Sequence, residues 1–301
     1  MNFNAAEFAW YIYPVLILVM VVEYLMVREN YHLKDSLAGF GIAAGASVIA
    51  IFTKYYAFLV FGVVFDFFEP LRQQLFDYSS FGWAWWVWVL CILGDDFNFY
   101  WHHRLSHTVR LLWAAHVPHH SSNNFNFAVS IRNGWFITFY KPIFWLWLAA
   151  IGFEPAMIAA ALIINATFQY FLHTQTIKSL GWFGKIVNNP YVHQVHHSSN
   201  REYLDKNHGG IFLFWDHVFG TYQDVIDGIE PKYGILKDPK SFNPVVLNIH
   251  EFRDIFRDVK KAKSLKEAVM YILGPPGWSP DGSTLTAKEI QRRLKMGQPV
   301  N

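Results

Sequence analysis

The chain has 301 residues, of which 53% are hydrophobic, 19% aromatic and only 16% charged, whereas an average soluble domain carries about 25% charged residues. A net charge of +2 gives no reason to expect a nucleic-acid partner. The single cysteine, Cys91, excludes an internal disulfide, a cysteine-ligated iron–sulfur cluster and a cysteine-type zinc finger. The composition instead fits a protein that lies partly in lipid, where tryptophan and tyrosine favour the interface.

Three apolar runs fill most of the first hundred residues. Residues 8–27 form a run long enough to cross a bilayer, which needs about 20 residues. Because no lysine or arginine precedes it, we expect a retained anchor rather than a signal peptide. We expect its Glu23 to reach from near the helix end to the membrane interface. The second run spans residues 37–68 with an interruption at TKYY, and the third, residues 81–101, leads directly into the first histidines.

A fourth apolar region, residues 135–172, is predicted to form a helical membrane hairpin. The sequence GFEP supplies the turn, and each arm has about 17 residues, near the lower limit for spanning a bilayer. Lys141 makes the first arm the weaker candidate for insertion. Because a hairpin enters and leaves the membrane from one side, the histidines before and after it are predicted to lie on the same face.

The chain changes character after residue 224, where it becomes charged and rich in turn residues. We therefore divide it into N-terminal membrane helices (1–80), a histidine-box catalytic domain (81–224) that includes the hairpin, and a cytosolic or interfacial C-terminal tail (225–301). Residues 247–269 have the pattern of an amphipathic helix, either on a membrane surface or packed on the protein body. Lysine and arginine concentrate in the tail and around the histidines, so the positive-inside rule places both in the cytoplasm.

Fourteen histidines are the anomaly of this composition, and nine of them fall in three short boxes. Box one, YWHHRLSH, holds two histidines at i and i+4, which places their rings about 6 Å apart on one helix face, as two ligands of one metal require. Its other histidine, His102, points elsewhere and is expected to pack. Boxes two and three, HVPHH and HQVHH, both have the spacing H-x-x-H-H. Chance gives roughly 0.03 such matches in a chain of this histidine content.

Within a helix, the H-x-x-H-H spacing keeps three imidazoles on one side. Asn189 and Pro190 suit the start of a helix at box three. Pro118 is expected to interrupt box two, so that His116 belongs to the preceding segment. A zinc site takes at most four protein ligands, so eight box histidines suit two ions, and imidazole alone does not name the metal. The candidate ligands are His103, His107, His116, His119, His120, His193, His196 and His197.

Five histidines lie outside the boxes, and their expected roles differ. His173, which closes the second hairpin arm, is interpreted as a ninth ligand, whereas ligand and structural roles stay open for His208. His217 is interpreted as structural, and His32 and His250 as remote surface residues. Candidate acceptors that orient the imidazoles are Asp95, Asp96, Asp205 and Asp216. Further candidate supporting residues, for which turn and cap contacts are an equal alternative, are Asn126, Arg132, Asp205 and Asn207.

At these boxes the chain resembles the fatty acid hydroxylase/sterol desaturase superfamily of membrane di-iron enzymes. HRLSH, HVPHH and HQVHH match the three motifs of that superfamily in order. The similarity continues through DDFNFYWHHR and YLDKNHGGIFLFWDHVFGTY and covers roughly residues 81–222. The last block, with FQYFLHTQTIKSLG, looks most like the alkylglycerol monooxygenase branch and its bacterial relatives.

The resemblance implies an all-α integral membrane fold with about four transmembrane helices and a cytosolic helical cap, in a bacterial inner membrane or endoplasmic reticulum. It implies two iron ions held by the eight box histidines, joined by His173, and an enzyme that uses O2 to oxidise a C–H bond of a membrane lipid. No flavin, haem or nicotinamide motif is found in the sequence, so electrons are expected from a reductase, a cytochrome b5-like protein, a ferredoxin or a pterin.

Three other functions are weighed against lipid hydroxylation. A lipid or sterol desaturase would use the same ligands, so the sequence leaves this alternative open. A membrane zinc hydrolase is disfavoured because H-E-x-x-H is missing and no carboxylate sits beside the boxes as a general base. A metal transporter is disfavoured because its sites should lie within membrane helices, whereas these boxes lie in polar, arginine-containing segments.

Overall fold

The computed structural model describes the backbone of residues 5–300 and the side chains from residue 11 onward. In this range the fold is all-helical, as predicted, with two isolated β-bridges in place of any sheet. The helices are α1 (Ala5–Met26), α2 (Leu33–Phe76), α3 (Trp85–Thr108), α4 (Arg110–His120), α5 (Phe127–Ser130), α6 (Ile137–Tyr140), α7 (Leu146–Ala150), α8 (Pro155–Phe171), α9 (Pro190–His196), α10 (Phe214–Val218), α11 (Pro244–Val259), α12 (Leu265–Leu273) and α13 (Ala287–Lys295).

Helix α2 is long and apolar enough, by length and composition, to cross a membrane. Its 44 residues span about 66 Å at 1.5 Å per residue. The helix is continuous through TKYY, where the apolar run is interrupted. There Thr53 Oγ1 donates to the carbonyl of Ile49 at 3.1 Å, and Lys54 is exposed. Two shorter apolar helices accompany α2, namely Tyr11–Met26 and Pro155–Phe171.

The region predicted as a membrane hairpin has one regular arm and one broken arm. The second arm is α8, and the turn before it contains Gly152 with φ +106°. The first arm departs from a continuous helix, since the 3-10 turn Lys141–Trp145 separates α6 from α7. Pro142 cannot donate a backbone hydrogen bond, and the ammonium of Lys141 lies 5.7 Å and 5.4 Å from the rings of Phe99 and Trp145.

Glu23 of α1 is buried, so the expectation that it reaches the membrane interface is wrong. Its side chain is only 3% exposed. The carboxylate accepts a hydrogen bond from the backbone N–H of Phe127 at 2.9 Å and from the hydroxyls of Tyr31 and Thr174. Three donors within the protein replace water around this charge. Glu23 therefore attaches α1 both to α5 and to the segment that follows α8.

The C-terminal region contains α11, α12 and α13, and α11 packs against α4 and α2. The amphipathic helix predicted over residues 247–269 is divided, because α11 ends at Val259 and α12 begins at Leu265. Arg110, the first residue of α4, forms ion pairs with Glu251 at 2.7 Å and with Asp258 at 2.8 Å. Of the two placements expected for this amphipathic helix, the described contacts favour the protein body.

The two histidines expected to lie remote on the surface differ from each other. His32 is exposed and stacks on Phe242 at 5.3 Å. His250 is buried in α11, where its Nδ1 donates to the Leu247 carbonyl at 3.0 Å, so its surface assignment is wrong. A backbone acceptor within its own helix satisfies the ring in the absence of water.

Candidate metal centre

Three helices deliver the histidine boxes to one place. Box one occupies the last turns of α3, and box two occupies the end of α4. Box three lies on α9, which begins as predicted, with the Asn189 side chain accepting from Val192 N and Pro190 in the first turn. Pro118 does not interrupt box two as expected, because α4 runs through it to His120. The helix loses one backbone bond there, and His116 shares a single helix with the two histidines that follow.

The imidazoles converge in two groups, and within each group the nitrogens that face inward all lie within 4.8 Å of one another. The structure thus brings together all nine histidines that the sequence singled out. The first group contains His103, His107, His116, His120 and His196, and the second contains His119, His173, His193 and His197.

The division follows the position of each histidine within its box. In every box the two histidines at i and i+4 belong to the same group, as His116 and His120 do in box two. The residue at i+3 faces the other group, because it lies about 100° around the helix from its neighbour at i+4. His119 thus joins the second group, and His196 joins the first. The sequence had placed all three imidazoles of such a box on one side.

The second group has the geometry of a metal site. Nε2 of His173 lies 3.1 Å from Nε2 of His119, 3.1 Å from Nε2 of His197 and 3.3 Å from Nε2 of His193. Its own Nδ1 donates to the Gln169 carbonyl at 2.8 Å, so in the neutral ring Nε2 carries no proton. Two ligand nitrogens about 2.1 Å from one cation are separated by about 3.0–3.4 Å. A shared cation therefore fits this convergence, which a single hydrogen bond cannot satisfy.

The first group presents nitrogens of the same kind. Nε2 of His116 lies 3.1 Å from Nε2 of His120. Within the described part of the chain, Nε2 of His107 and Nε2 of His196 are buried and have no hydrogen-bond partner. Buried polar atoms are rarely left without a partner, so these orphaned nitrogens fit the role of ligands to a metal cation.

Backbone carbonyls orient the rings. Nδ1 of His103 donates to the carbonyl of His208 at 3.1 Å, and Nδ1 of His196 donates to that of Lys206 at 2.8 Å. With Nδ1 as the donor, Nε2 is directed into the group. Of the carboxylates suggested for this role, only Asp205 approaches an imidazole, with Oδ1 3.7 Å from Nδ1 of His107.

The other acidic candidates hold the backbone around the site instead. Asp96 of α3 accepts from the backbone N–H of Ile211 and of Phe212 and from Nε1 of Trp215. Asp216 accepts from the N–H of His208 at 2.8 Å and of Gly209 at 2.7 Å. Asp95 accepts from Nε1 of Trp145 at 2.7 Å and from Nδ2 of Asn165 at 2.8 Å. The loop around His208 supplies a carbonyl to His103. Because Asp96 and Asp216 hold the backbone of this loop, they act on the site through it.

Arg132 and Asp35 form a buried ion pair behind box two. Nη1 of Arg132 lies 2.7 Å from Oδ1 of Asp35, and Nη2 donates to Oγ of Ser121 at 3.0 Å. Ser121 directly follows His120, and its neighbour Ser122 donates to the other oxygen of Asp35 at 2.6 Å. The pair fixes the end of α4 without touching an imidazole.

Asn126 and Asn207 make turn contacts. Asn126 caps α5 by accepting from Ala128 N at 3.0 Å. Asn207 has a left-handed φ of +56° and donates to the carbonyls of Val192 at 3.1 Å and Gln223 at 2.7 Å. Neither amide reaches an imidazole, so both stabilise the backbone around the boxes.

The remaining histidines fall outside the two groups. The ring of His208 lies 5.1 Å from that of His107, and neither of its nitrogens has a partner among the described residues. His102 stacks on Tyr140 at 5.5 Å, in keeping with a packing role. His217 stacks on Tyr222 at 4.2 Å and contacts the Lys185 carbonyl at 3.0 Å, which agrees with its structural interpretation.

Burial determines the charge of the cluster. Desolvation, followed by the neighbouring imidazoles, lowers the pKa of His116, His119 and His120 well below the usual value. The same causes lower the pKa of His193, His196 and His197. At pH 7 these rings are neutral, which is the form of histidine that binds a metal.

Two contributors to the site were missed by the sequence analysis. Glu23 was assigned to the interface, yet it hydrogen-bonds Thr174, the residue after His173. Phe125 is fully buried, and its ring lies 5.5 Å from that of His173 and 5.2 Å from that of His197. Neither residue belongs to a histidine box, and neither contact is implied by a local spacing.

Comparison with known proteins agrees with this arrangement. The family model "Fatty acid hydroxylase" matches residues 88–221, a segment that contains all nine converging histidines. Residues 88–221 therefore carry the sequence of the fatty acid hydroxylase family, and the comparisons support the fatty acid hydroxylase/sterol desaturase superfamily.

Its relatives include two enzymes named alkylglycerol monooxygenase. The human protein is 32% identical over 216 residues, which are 71% of this chain and 48% of the relative. The protein of Caenorhabditis elegans is 26% identical over 93% of this chain and 55% of the relative. The Delta(7)-sterol 5(6)-desaturase erg3C of Aspergillus fumigatus is 24% identical over 53% of this chain and 56% of that protein. This chain thus spans about half the length of these relatives, and no solved structure matches it.

Proposed function

We propose that this protein is a membrane-bound di-iron oxidoreductase that hydroxylates a C–H bond of a lipid, using O2 and electrons from an external donor. The observation that carries the proposal is the pair of adjacent all-histidine groups, five rings in one and four in the other. The monooxygenase names of the relatives support the reaction type.

Each histidine group is proposed to hold one iron ion. His103, His107, His116, His120 and His196 would hold the first, and His119, His173, His193 and His197 the second. Iron in such sites supplies the activation of O2. His208 lies beside the first group, and we propose that it supports that group rather than binding directly.

The protein's own contribution is orientation and exclusion of water. The carbonyls of His208, Lys206 and Gln169 hold three rings with Nε2 inward, and such fixed rings need no reorganisation when an ion binds. Phe125 covers the second group from one side, and the Trp113 ring lies 5.1 Å from that of His107 in the first. These aromatic walls keep water away from the reacting centre.

The helices suggest how a membrane would be oriented. Helices α1, α3 and α8 end close to the histidine groups, whereas α2 begins there, so the candidate spanning segments reach the centre from one side. We propose that this side faces the lipid and that the centre lies on the cytoplasmic side, where lysine and arginine concentrate. The lipid chain would approach between α3 and α8, and its polar headgroup would stay at the interface.

Desaturation of a lipid or sterol is the second candidate, because one relative is a sterol desaturase and the same ligands would serve it. The electron donor is proposed to be a separate molecule, for which a reductase, a cytochrome b5-like protein, a ferredoxin and a pterin are the classes to compare.

Metal analysis and O2 consumption on extracted native lipid test the proposal. We expect bound iron and lipid-dependent O2 uptake; product mass then separates hydroxylation, which adds one oxygen, from desaturation, which removes two hydrogens. His119→Ala should abolish uptake and lower the metal content, whereas the matched change His217→Ala, outside both groups, should retain both. Bound zinc with no O2 uptake would overturn the oxygenase assignment.

A further inference from the structure

An exposed apolar surface is formed by the segment between α8 and box three together with α10. The 3-10 helix Gly181–Lys185 carries Trp182, which is 75% exposed, and its neighbours Phe183 and Ile186 are also exposed. The adjacent α10 exposes Phe214 and Val218. Soluble surfaces rarely carry so many contiguous large apolar side chains. We call this surface the 182–218 patch; its members are Trp182, Phe183, Ile186, Phe214 and Val218.

The patch is one surface because the two segments are joined. The N–H of Leu213 donates to the Ile186 carbonyl at 2.9 Å, and Val187 pairs with Phe212 in a β-bridge. Nε2 of His217 contacts the carbonyl of Lys185 at 3.0 Å. These contacts hold the 3-10 helix and α10 side by side, so their exposed apolar side chains form one surface.

The contacts between α10 and α3 show how far along α3 the patch lies from the histidine groups. Asp96 accepts from Nε1 of Trp215 at 3.0 Å, and the ring of Phe97 lies 5.0 Å from that of Trp215. Asp96 is seven residues before His103, so α10 is docked about 10 Å along α3 from the histidine centre, toward its N-terminal end. That end of α3 exposes Trp85, Trp86, Val89, Leu90 and Leu93. The patch thus continues an apolar band on the part of α3 that is proposed to face lipid.

The charged residues of the segment before box three are of one sign. Lys178 and Lys185 are exposed, and no acidic residue lies between His173 and Val187. Tryptophan and phenylalanine with flanking lysines are favoured at the boundary between headgroups and acyl chains, where lysine is attracted to anionic lipid.

We infer that the 182–218 patch inserts into the interface of an anionic phospholipid bilayer and holds the second histidine group at a fixed height above the acyl chains. The inference rests on the membrane location in the proposed function. The segment that carries Trp182 joins His173 directly to box three. Its depth in the bilayer interface would therefore set the depth of the histidine rings at both of its ends.

A fluorescent label at Trp182→Cys tests the insertion in the full chain. The native Cys91 is fully buried, so a bimane label attaches to the introduced cysteine. Ser283→Cys, in an exposed polar turn, is the matched control. In nanodiscs of phosphatidylcholine and phosphatidylglycerol in equal amounts, lipids with a nitroxide at the upper acyl chain should quench the label at 182 several-fold more than the label at 283. Aqueous iodide should show the opposite order.

Equal iodide quenching at both positions would overturn the inference, and so would protection of position 182 from both quenchers, the result expected if a second copy covered the patch.

A second experiment reverses the charge of the two lysines beside the patch. Lys178→Glu with Lys185→Glu should reduce nitroxide quenching at 182 in anionic discs. Lys260→Glu with Lys261→Glu, the same charge change just after the end of α11, should not; an equal effect of both pairs would also overturn the inference. Neither readout depends on metal or turnover, so failure of the oxygenase assignment would be seen separately.

Discussion

Replacing Glu23 by glutamine tests whether α1 helps to hold the second histidine group. The carboxylate accepts three hydrogen bonds in a site that is 3% exposed. Glutamine keeps one oxygen, which can still accept from Tyr31 and Phe127, and turns its amide nitrogen toward Thr174. One charge-assisted bond is lost and two become neutral; with about 1.5–3 kcal/mol for a charged bond and about 1 kcal/mol for a neutral one, we expect a loss of roughly 2.5–7 kcal/mol.

The assay is thermal unfolding in detergent together with metal content per protein. A loss of this size should lower the apparent Tm by roughly 4–10 °C. Because Thr174 follows His173, metal content should fall as well. Glu29→Gln makes the same chemical change six residues later at an exposed position, where an effect within about 0.5 kcal/mol is expected. Equal Tm and equal metal content in the two variants would refute the reasoning.

Two further predictions concern the boxes. The metal-free protein should lose stability as pH falls from 7 to 5, measured as the apparent Tm in the presence of a chelator. The buried histidines have pKa values below the value near 6.5 that they have in the unfolded chain. Below pH 6.5 the unfolded state therefore binds more protons and is favoured. A constant Tm over that range would contradict this. Gly134→Ala should destabilise the protein by about 1–3 kcal/mol and weaken metal binding, because its new Cβ would clash with the carbonyl oxygen of Ala115 in α4. Gly62→Ala, with open space around its Cβ, is the control, and equal Tm in the two would count against the packing argument.

Local spacing made the helices and the histidine set predictable. The apolar runs predicted α1, α2, α3 and α8, and the three boxes contain eight of the nine rings that converge. What the spacing left ambiguous was the partition of rings. A periodicity of 3.6 residues places i and i+4 together, but whether i+3 faces the same ion depends on where the second group lies, which only the packing of α4, α9 and α8 determines.

The sequence pattern could not predict contacts between distant segments of the chain. Carboxylates were expected to orient the rings because they are strong acceptors, yet the acceptors for His103 and His196 are carbonyls of the loop after box three. A carbonyl is present at every residue, so composition cannot single one out. Glu23 likewise looked like an interfacial acid, because the three donors around it come from segments up to 151 residues away.

The exchange of the i+3 histidines makes the two groups interdependent. Box two gives two rings to the first group and His119 to the second, while box three gives two rings to the second group and His196 to the first. A shift of either α4 or α9 therefore displaces ligands of both candidate ions at once. The constraints that fix these helices come partly from outside the family segment 88–221, since Asp35 of α2 holds the end of α4 through Arg132. The N-terminal helices thus belong to the metal centre as well as to the proposed membrane anchor, and removing them should cost metal binding even in detergent.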